Sequence, residues 1–179
     1  MSGHLNYFSH ETAEIDQSAK IGESTKIWHQ SQVMPGAIIG KNCNLGKSVY
    51  IDRNVTIGNN VKIQNGVSVY QGVTIEDDVF LGPHMVFTND LFPRAFVDDF
   101  KIIPTLISKG ASIGANATII CGITIGRYSM VGAGSVITKE VMDLELVIGS
   151  PQKKIGYVCK CGYKVKSKNN AIFCDKCKD

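Results

Sequence analysis

An apolar residue recurs at every sixth position along most of the chain. The period runs through one long series and resumes after an interruption: Ile15, Ile21, Ile27, Val33, Ile39, Leu45, Ile51, Ile57, Ile63, Val69, Ile75, Leu81 and Phe87, and then Ile107, Ile113, Ile119, Ile125, Val131 and Ile137. In nearly every hexad the residue two places earlier is small or β-branched, as at Thr25, Cys43 and Val49. Two inward residues separated by one outward residue are typical of a very short β-strand, so the pattern predicts a strand in every hexad.

Glycine and asparagine residues lie between the short strands, and both tolerate the left-handed backbone of tight turns. Strand and turn at a fixed period predict a coil in which three hexads complete one turn, so that identical faces stack on each other. The hexads suffice for about six coils, each rising by about 4.8 Å, the distance between neighbouring strands. We therefore predict an all-β fold, a parallel β-helix. Residues 1–12 lack the hexad and are expected to cap the first coil.

The hexad series is interrupted between Phe87 and Ile107. These two residues are 20 positions apart, which is one hexad plus 14 residues. The sequence therefore predicts that residues from about 88 to 104 leave the helix as one extruded loop. A long loop in a compact repeat protein is typically functional.

Four cysteines occur near the end of the sequence in two pairs, Cys159 with Cys161 and Cys174 with Cys177. Two close pairs of thiolates predict a zinc ribbon, although one residue, not the usual two, separates the first pair. Two disulfides are the alternative, which a cytoplasmic location disfavours. We divide the chain into a β-helix domain over residues 1–157 and a zinc-ribbon-like tail over residues 158–179, with structural zinc.

Composition and charge exclude several classes of partner. No stretch approaches the roughly 18 apolar residues of a membrane span, and the first residues lack the segments of a signal peptide. We therefore expect a cytoplasmic protein without a membrane partner. The net charge is +3, but residues 157–179 hold six lysines against two aspartates, so the tail carries +4 and the remainder −1. The body lacks the basic field that attracts nucleic acid, and no nucleic-acid partner is expected.

One stretch links the repeat to a known family. Residues 111–141 read ASIGANATIICGITIGRYSMVGAGSVITKEV, and VIGSP follows at residues 147–151. Both closely resemble the hexapeptide-repeat acyltransferases, over about residues 13–157. The resemblance implies a left-handed parallel β-helix and acetyl-CoA as cosubstrate. Within that superfamily, GPHMVFTNDLFPR at residues 82–94 resembles the loop of enzymes that N-acetylate amino sugars carried on a nucleoside diphosphate, which serve bacterial surface-polysaccharide synthesis.

The candidate catalytic residues are His84, at the base of the loop, and Asn65, one coil below it at nearly the same turn. An amine must lose a proton before it attacks, and histidine titrates near neutrality, which suits a general base. Asp90 is a candidate to orient the imidazole. The alternative is a structural histidine that hydrogen-bonds a loop carbonyl.

The loop residues expected to contact the sugar or its diphosphate are Asn89, Asp90 and Arg94. The planar guanidinium of Arg94 suits phosphate oxygens. Alternatively, Arg94 only fixes the loop through a salt bridge to Asp98 or Asp99.

Small outward residues are concentrated in the second block of hexads. Small side chains let a ligand approach the backbone, whose amides can then donate to pantetheine carbonyls. In the family that the chain resembles, coenzyme A lies along this part of the helix. The resemblance thus implies Ala115, Ala133 and Lys139 as coenzyme contacts, and the alternative is that they are only good turn formers.

The function implied is transfer of an acetyl group from acetyl-CoA to a nucleotide-linked amino sugar, a 3-amino hexose on dTDP or UDP. The alternatives are a zinc hydratase on the same fold, which needs three clustered histidines, and a non-catalytic solenoid. His29 and His84 fall in one column, three coils and about 14 Å apart, which disfavours the hydratase. Clefts on a solenoid are shallow, so we expect a homotrimer whose neighbouring chains complete each site.

Overall fold

The computed structural model describes residues 6–97, 101–168, 171–174 and 176–177. Every regular element in these residues is a β-strand. The strands before the loop are β1 (Phe8–Ser9), β2 (Glu14–Ile15), β3 (Lys20–Ile21), β4 (Lys26–Ile27), β5 (Gln32–Val33), β6 (Ile38–Ile39), β7 (Asn44–Leu45), β8 (Tyr50–Ile51), β9 (Thr56–Ile57), β10 (Lys62–Ile63), β11 (Ser68–Val69), β12 (Val73–Ile75), β13 (Phe80–Leu81) and β14 (Val86–Phe87). Those after it are β15 (Thr105–Ile107), β16 (Ser112–Ile113), β17 (Thr118–Ile119), β18 (Thr124–Ile125), β19 (Met130–Val131), β20 (Val136–Ile137), β21 (Glu145–Ile148), β22 (Lys153–Val158), β23 (Lys164–Lys168) and β24 (Ala171–Phe173).

Successive strands belong to three successive sheets, which are the faces of a β-solenoid. The first face contains β1, β4, β7, β10, β13, β16, β19 and β21, the second β2, β5, β8, β11, β14, β17 and β20, and the third β3, β6, β9, β12, β15 and β18. All of these pairings are parallel, and Ile63, for example, pairs with Leu81. The predicted three hexads per turn are therefore confirmed.

The number of turns is larger than the hexads alone indicated. The first face has eight parallel strands, so the solenoid has about eight turns and not six. The difference arises at both ends. The sequence predicts a cap over residues 1–12, whereas residues 8–9 within it form β1 and pair with β4. At the other end, β21 pairs with β19 outside the hexad period.

The predicted inward residues form one continuous hydrophobic core. Ile27, Leu45, Ile63 and Leu81 are fully buried on the first face, and Cys43 is buried with them. Ile15 and Ile21, in the first coil, are only partly buried. The core is thus less well covered at the first coil, where fewer coils pack on it.

Left-handed turn residues recur with the same period as the strands. Positive φ angles occur at every sixth residue from Ser24 to His84 and again from Gly110 to Gly134. Most of these positions hold Gly, Asn or Asp, which adopt this conformation at low cost. His84, with φ 57°, and Tyr128, with φ 53°, are the bulky aromatic exceptions.

The turns of successive coils stack into three edges. The first edge joins the first face to the second and includes residues 28–31, 46–49, 64–67, 82–85, 114–117 and 132–135. The second edge joins the second face to the third and includes residues 70–72, 120–122 and 138–140, and the loop interrupts it. The third edge, which includes residues 76–78 and 126–128, leads back to the first face. These edges position the candidate site.

The extruded loop begins after β14 and ends before β15, as predicted. Strand β15 pairs with β12 through Val73 and Thr105, so the helix resumes in register. Ile102 lies against Gly72 and Ile103 against Gly122, one coil on either side. The loop is therefore anchored at its end by the glycines of the second edge.

Antiparallel strands cover the last coil. β22 pairs with β21 and with β23, and β23 pairs with β24. The parallel first face thus continues into the tail as an antiparallel sheet. Across the described ranges the chain has no helix, and hence none with the length and hydropathy to cross a membrane.

Candidate functional site

His84 lies in the first edge, at the position that Gly66 occupies one coil earlier. Its backbone N–H donates to the carbonyl of Asn65 at 3.0 Å, so the predicted proximity of these two residues is found. The imidazole lies over the Cα atom of Gly66, where a β-carbon would collide with Nδ1 and Cε1. The side chain is exposed, and neither ring nitrogen has a hydrogen-bond partner among the described residues. His84 is therefore fixed by its backbone, the Nδ1 edge of its ring lies against Gly66, and no described residue engages its ring nitrogens.

The side chain of Asn65 has a turn-stabilising contact of its own. Its Oδ1 atom accepts the backbone N–H of Lys47, one coil below, at 2.8 Å. On the third edge, the Oδ1 atom of Asn59 likewise accepts the backbone N–H of Lys41. This hydrogen bond between successive coils therefore recurs on different edges of the solenoid. The amide NH₂ of Asn65 has no partner in the described part of the chain. Only this donor remains for a ligand.

Ala115 and Ala133 follow His84 along the same edge. The N–H of Asn116 donates to Pro83 O at 3.0 Å, and the N–H of Gly134 donates to Ala115 O at 2.8 Å. These bonds stack Ala115 and Ala133 one and two coils beyond His84. A β-carbon on Gly82 would touch the backbone N of Ala115, so the coils approach closely here. The structure thus brings four of the sequence candidates together on one edge.

The loop candidates lie elsewhere in the chain. Asn89 and Asp90 follow β14, whereas His84 precedes it, so about five residues of extended chain, or roughly 16 Å, separate them. The carboxylate of Asp90 accepts the N–H of Phe92 at 2.8 Å. Within one chain Asp90 therefore does not orient the imidazole of His84, because the two residues belong to different edges.

Arg94 is exposed, and its Nη1 atom donates to the carbonyl of Pro93 at 2.8 Å. No ion pair of Arg94 is found within the described residues. The partners proposed in the alternative interpretation, Asp98 and Asp99, lie outside the described ranges. The guanidinium keeps most of its donors available.

Lys139 lies on the second edge, at the far end of β20 from Ala133. Its backbone is held by Gln152, whose Oε1 accepts the Lys139 N–H at 3.0 Å and whose Nε2 donates to the Lys139 carbonyl at 3.1 Å. The side chain is exposed. Lys139 therefore does not face the same edge as the two alanines.

The four tail cysteines converge on one point. Their sulfur atoms all lie within 4.8 Å of one another, with 3.7 Å from Cys159 to Cys177 and 3.6 Å from Cys161 to Cys174. A tetrahedral zinc with Zn–S bonds of about 2.3 Å places its sulfurs about 3.8 Å apart, so this geometry fits zinc. A hydrogen bond from the Cys177 thiol lowers the pKa of Cys161 to about 7, and the same contact raises the pKa of Cys177.

No second cluster of this kind exists in the described ranges. The cysteines are the only group there in which three or more His, Cys, Asp or Glu side chains converge. The ring of His29 stacks on the ring of His10, with 3.5 Å between their centroids. The backbone hydrogen bonds donated by Ser48, Gly66 and His84 each link one coil to the next, so His84 lies three coils beyond His29. The described chain therefore contains no three-histidine site of the hydratase type.

A groove below Asn65 was not predicted from the sequence. We call it the Trp28 groove; it has a volume of about 280 Å³ and is lined by Trp28, His29, Asn44, Gly46, Lys47, Gln64 and Asn65. The sequence could have indicated this groove, because His29, Lys47 and Asn65 are spaced by 18 residues and therefore stack on one edge.

Family comparisons agree with this architecture. The profile described as bacterial transferase hexapeptide (six repeats) matches residues 18–53 and 104–139. The profile described as hexapeptide repeat of succinyl-transferase matches residues 36–71. The two profiles together cover half of the chain. The chain belongs to the hexapeptide-repeat proteins.

A curated relative shares a shorter region at higher identity. The dTDP-3-amino-3,6-dideoxy-alpha-D-galactopyranose 3-N-acetyltransferase of Aneurinibacillus thermoaerophilus is 50% identical over 70 residues, which are 39% of this chain and 36% of the relative. The bifunctional protein GlmU of Nitratidesulfovibrio vulgaris is 54% identical over 44 residues, 25% of this chain and 10% of the relative. The chain thus spans about a third or less of these relatives.

Solved structures share the fold over most of the chain. A galactoside acetyltransferase in complex with coenzyme A superposes with a TM-score of 0.61 and 24% identity, over 77% of this chain and 74% of the other. A variant of the GDP-perosamine N-acetyltransferase of Caulobacter crescentus, in complex with CoA and GDP-perosamine, gives a TM-score of 0.54 and 24% identity, over 85% of this chain and 58% of the other. At this identity the superpositions establish the common fold.

Proposed function

We propose that this protein is an acetyl-CoA-dependent N-acetyltransferase whose acceptor is an amino sugar on a nucleoside diphosphate. The observation that carries the proposal is the 50% identity over 70 residues to a transferase whose name specifies a 3-amino sugar on dTDP. The acceptor is accordingly a 3-amino hexose on dTDP or UDP, and the product serves bacterial surface-polysaccharide synthesis.

His84 is the proposed general base. The acceptor nitrogen loses a proton to an imidazole nitrogen and attacks the thioester carbonyl, after which the carbon–sulfur bond breaks and the coenzyme thiolate leaves. Two observations support this role: no described residue hydrogen-bonds the ring nitrogens of this exposed histidine, and the residue has a left-handed backbone that a bulky side chain adopts only at a cost. The free amide NH₂ of Asn65, one coil away, is proposed to donate to the substrate.

Coenzyme A is proposed to lie along the first edge beyond His84. The small side chains of Ala115 and Ala133 leave the backbone accessible at this edge. The thioester would then lie at the coil adjacent to that of His84. Lys139, on the second edge, is proposed to contact the same coenzyme from an adjacent copy of the chain.

A homotrimer is proposed because it would bring these groups together. His84 is on the first edge, and the loop with Asn89, Asp90 and Arg94 leaves from the second edge. A ring of three chains lets the second edge of one copy meet the first edge of the next. Phe92 and Phe96, each 82% exposed, are the proposed contacts of the loop with that neighbour.

The tail is proposed to be a structural zinc ribbon, distinct from the β-helix domain of residues 1–157. Its cysteines would hold one Zn²⁺, which supplies binding energy for folding of the tail. The tail continues the sheet of the first face, since β22 pairs with β21 and β23 with β22, and Lys160 lies over Tyr128 at 5.5 Å. Its proposed role is structural, to close the end of the helix.

The direct test is release of free CoA from acetyl-CoA in the presence of purified protein. A panel of dTDP-, UDP- and GDP-linked amino hexoses, with the amine at C3 or C4, is offered at equal concentration. We expect release with a 3-amino sugar on dTDP or UDP, and mass spectrometry should show one added acetyl group on the sugar. Absence of release with the whole panel, from protein that is folded and assembled, would overturn the proposal.

A further inference from the structure

The Trp28 groove lies on the first edge and includes only one residue already assigned to catalysis, Asn65. It lies along the coils that precede His84, and Asn65 forms its upper end. None of the roles assigned above uses Trp28, His29, Lys47 or Gln64. The groove therefore adjoins the proposed reaction site without taking part in the proposed transfer step.

One side of the groove is an aromatic wall with fixed orientation. The indole Nε1 of Trp28 donates to the Oδ1 atom of Asn44 at 2.8 Å, and Phe8 packs against the indole at 5.3 Å between centroids. The ring of His29 lies within 8° of parallel to the indole. A flat ring held on several sides is a platform for another flat ring.

The remaining lining is polar and carries a positive charge. Lys47 makes no ion pair within the described residues, and the amide NH₂ of Asn65 is also available. The side chain of Gln64 makes no hydrogen bond there either. The groove thus combines a stacking surface with a cation and amide groups, a set that suits a planar base joined to phosphate.

We propose that the Trp28 groove binds the nucleoside diphosphate part of the acceptor. The base stacks on the wall formed by Trp28 and His29, the diphosphate is neutralised by Lys47, and the sugar points past Asn65 to His84. Successive coils place these groups in that order over about 14 Å, three times the strand spacing. This inference rests on the proposed function, because it assigns the nucleotide subsite of the same acceptor.

Trp28 is the only tryptophan of the chain, so its fluorescence reports on this groove alone. The experiment titrates the assembled protein, without acetyl-CoA, with dTDP, UDP and GDP. Thymidine and inorganic pyrophosphate serve as the base-only and phosphate-only probes. We expect saturable quenching by nucleoside diphosphates, weaker quenching by thymidine and none by pyrophosphate. Absence of quenching by every nucleoside diphosphate, or equal effects of pyrophosphate and dTDP, would overturn the proposal.

Two variants separate stacking from charge, with calorimetry as the readout where tryptophan is lost. Trp28→Leu should raise the Kd for dTDP by about 10-fold or more through the lost stacking. Lys47→Ala should raise it by about 3- to 10-fold and weaken its dependence on salt. The matched control is Lys20→Ala, an exposed lysine on the third face, which should leave the Kd unchanged. An unchanged Kd in Lys47→Ala, which alters only an exposed turn side chain, contradicts the proposal even if Trp28→Leu fails to fold.

The two proposals fail in distinguishable ways. Nucleotide-dependent quenching without CoA release from any amino sugar would support the groove and overturn acetyl transfer. CoA release with a KM for the nucleotide sugar that is unchanged in Lys47→Ala would support acetyl transfer and overturn the groove.

Discussion

The imidazole of His84 lies against the Cα atom of Gly66, one coil below it, in a space that any β-carbon on residue 66 would fill. Tyr128 and Gly110 repeat this relationship on the third edge, where the ring of Tyr128 lies in the same way over Gly110. A bulky residue in the left-handed turn position thus requires a glycine 18 residues earlier. Gly66 is therefore a positioning residue for His84.

Replacement of this glycine should displace the imidazole without unfolding the coil. Gly66→Ala places a methyl group where the ring now lies and strains a backbone with φ 69°, at a cost of about 1–2 kcal/mol in stability. We expect the turnover number to fall by about 10- to 100-fold, because a displaced catalytic group reacts slowly. Steady-state kinetics and thermal unfolding of the same preparation provide the measurement.

Gly36→Ala is the matched control for this variant. Gly36 has φ 73° and a side chain of the next coil, Asn54, against it, but it lies on the second edge. It should lose similar stability and keep its turnover number. Equal losses of activity in both variants would show that strain alone, and not the position of His84, explains the effect.

His84→Asn tests the proposed base directly. Asparagine tolerates the left-handed backbone at this position, so the fold should be kept. The turnover number is expected to fall by about 10²- to 10⁴-fold across pH 6 to 9 at saturating substrates, while the affinity for coenzyme A changes little. Near-wild-type rates throughout this range would show that His84 positions the sugar and does not act as the base.

Arg94→Ala tests the loop as a contact for the diphosphate. The guanidinium donates only to the adjacent Pro93 carbonyl in the described structure, so its other donors are available to phosphate. Loss of charge-assisted hydrogen bonds should raise the KM for the nucleotide sugar by about 10- to 100-fold and change the KM for acetyl-CoA little. Arg127→Ala, on the third edge, is the control, and an identical KM in both variants would contradict the assignment.

The cysteine cluster predicts one zinc per chain by elemental analysis. Cys174→Ser should release the metal, because each thiolate is a large share of a tetrahedral site, and proteolysis should then begin within residues 157–179. Zinc affinity should fall steadily as the pH is lowered, because zinc binds thiolates and protons compete with it for all four sulfur atoms. Acetyl transfer should survive. A metal-free protein with a protease-resistant tail would contradict the site.

The trimer is tested by light scattering at micromolar concentration. Phe92→Ser combined with Phe96→Ser should weaken assembly and lower activity together, because both rings are exposed on the single chain. The control is Ile38→Ser, on the third face, where a side chain 44% exposed is not expected to contact the neighbour. A monomer with full activity would rule out a shared site.

The sequence alone predicted most of the fold. The hexad series placed Leu45 and Ile63 in the core, and the 20-residue step from Phe87 to Ile107 located the loop between β14 and β15. The spacing also put Asn65 and His84 on neighbouring turns. These predictions succeeded because a repeat of fixed period makes each contact a matter of counting along the chain.

The ends of the solenoid were predicted less well. Ser9 occupies the inward position of β1 in place of an aliphatic residue, and Val147 follows Ile137 by ten residues instead of six. A terminal coil packs against core on one side only, so fewer of its residues need to be apolar. The hexad pattern therefore fades before the solenoid itself ends. The pattern therefore gave about six turns where the structure has about eight.

The sequence by itself determined the period, the loop position and the cysteine pairs, because each follows from spacing within the chain. Only the tertiary structure decided that the ring of His84 lies over Gly66 and that the side chains of Trp28 and Lys47 line a common groove. Those relationships depend on the direction in which each turn projects its side chains from the coil. The hexad is the same on all three faces, so it does not record that direction.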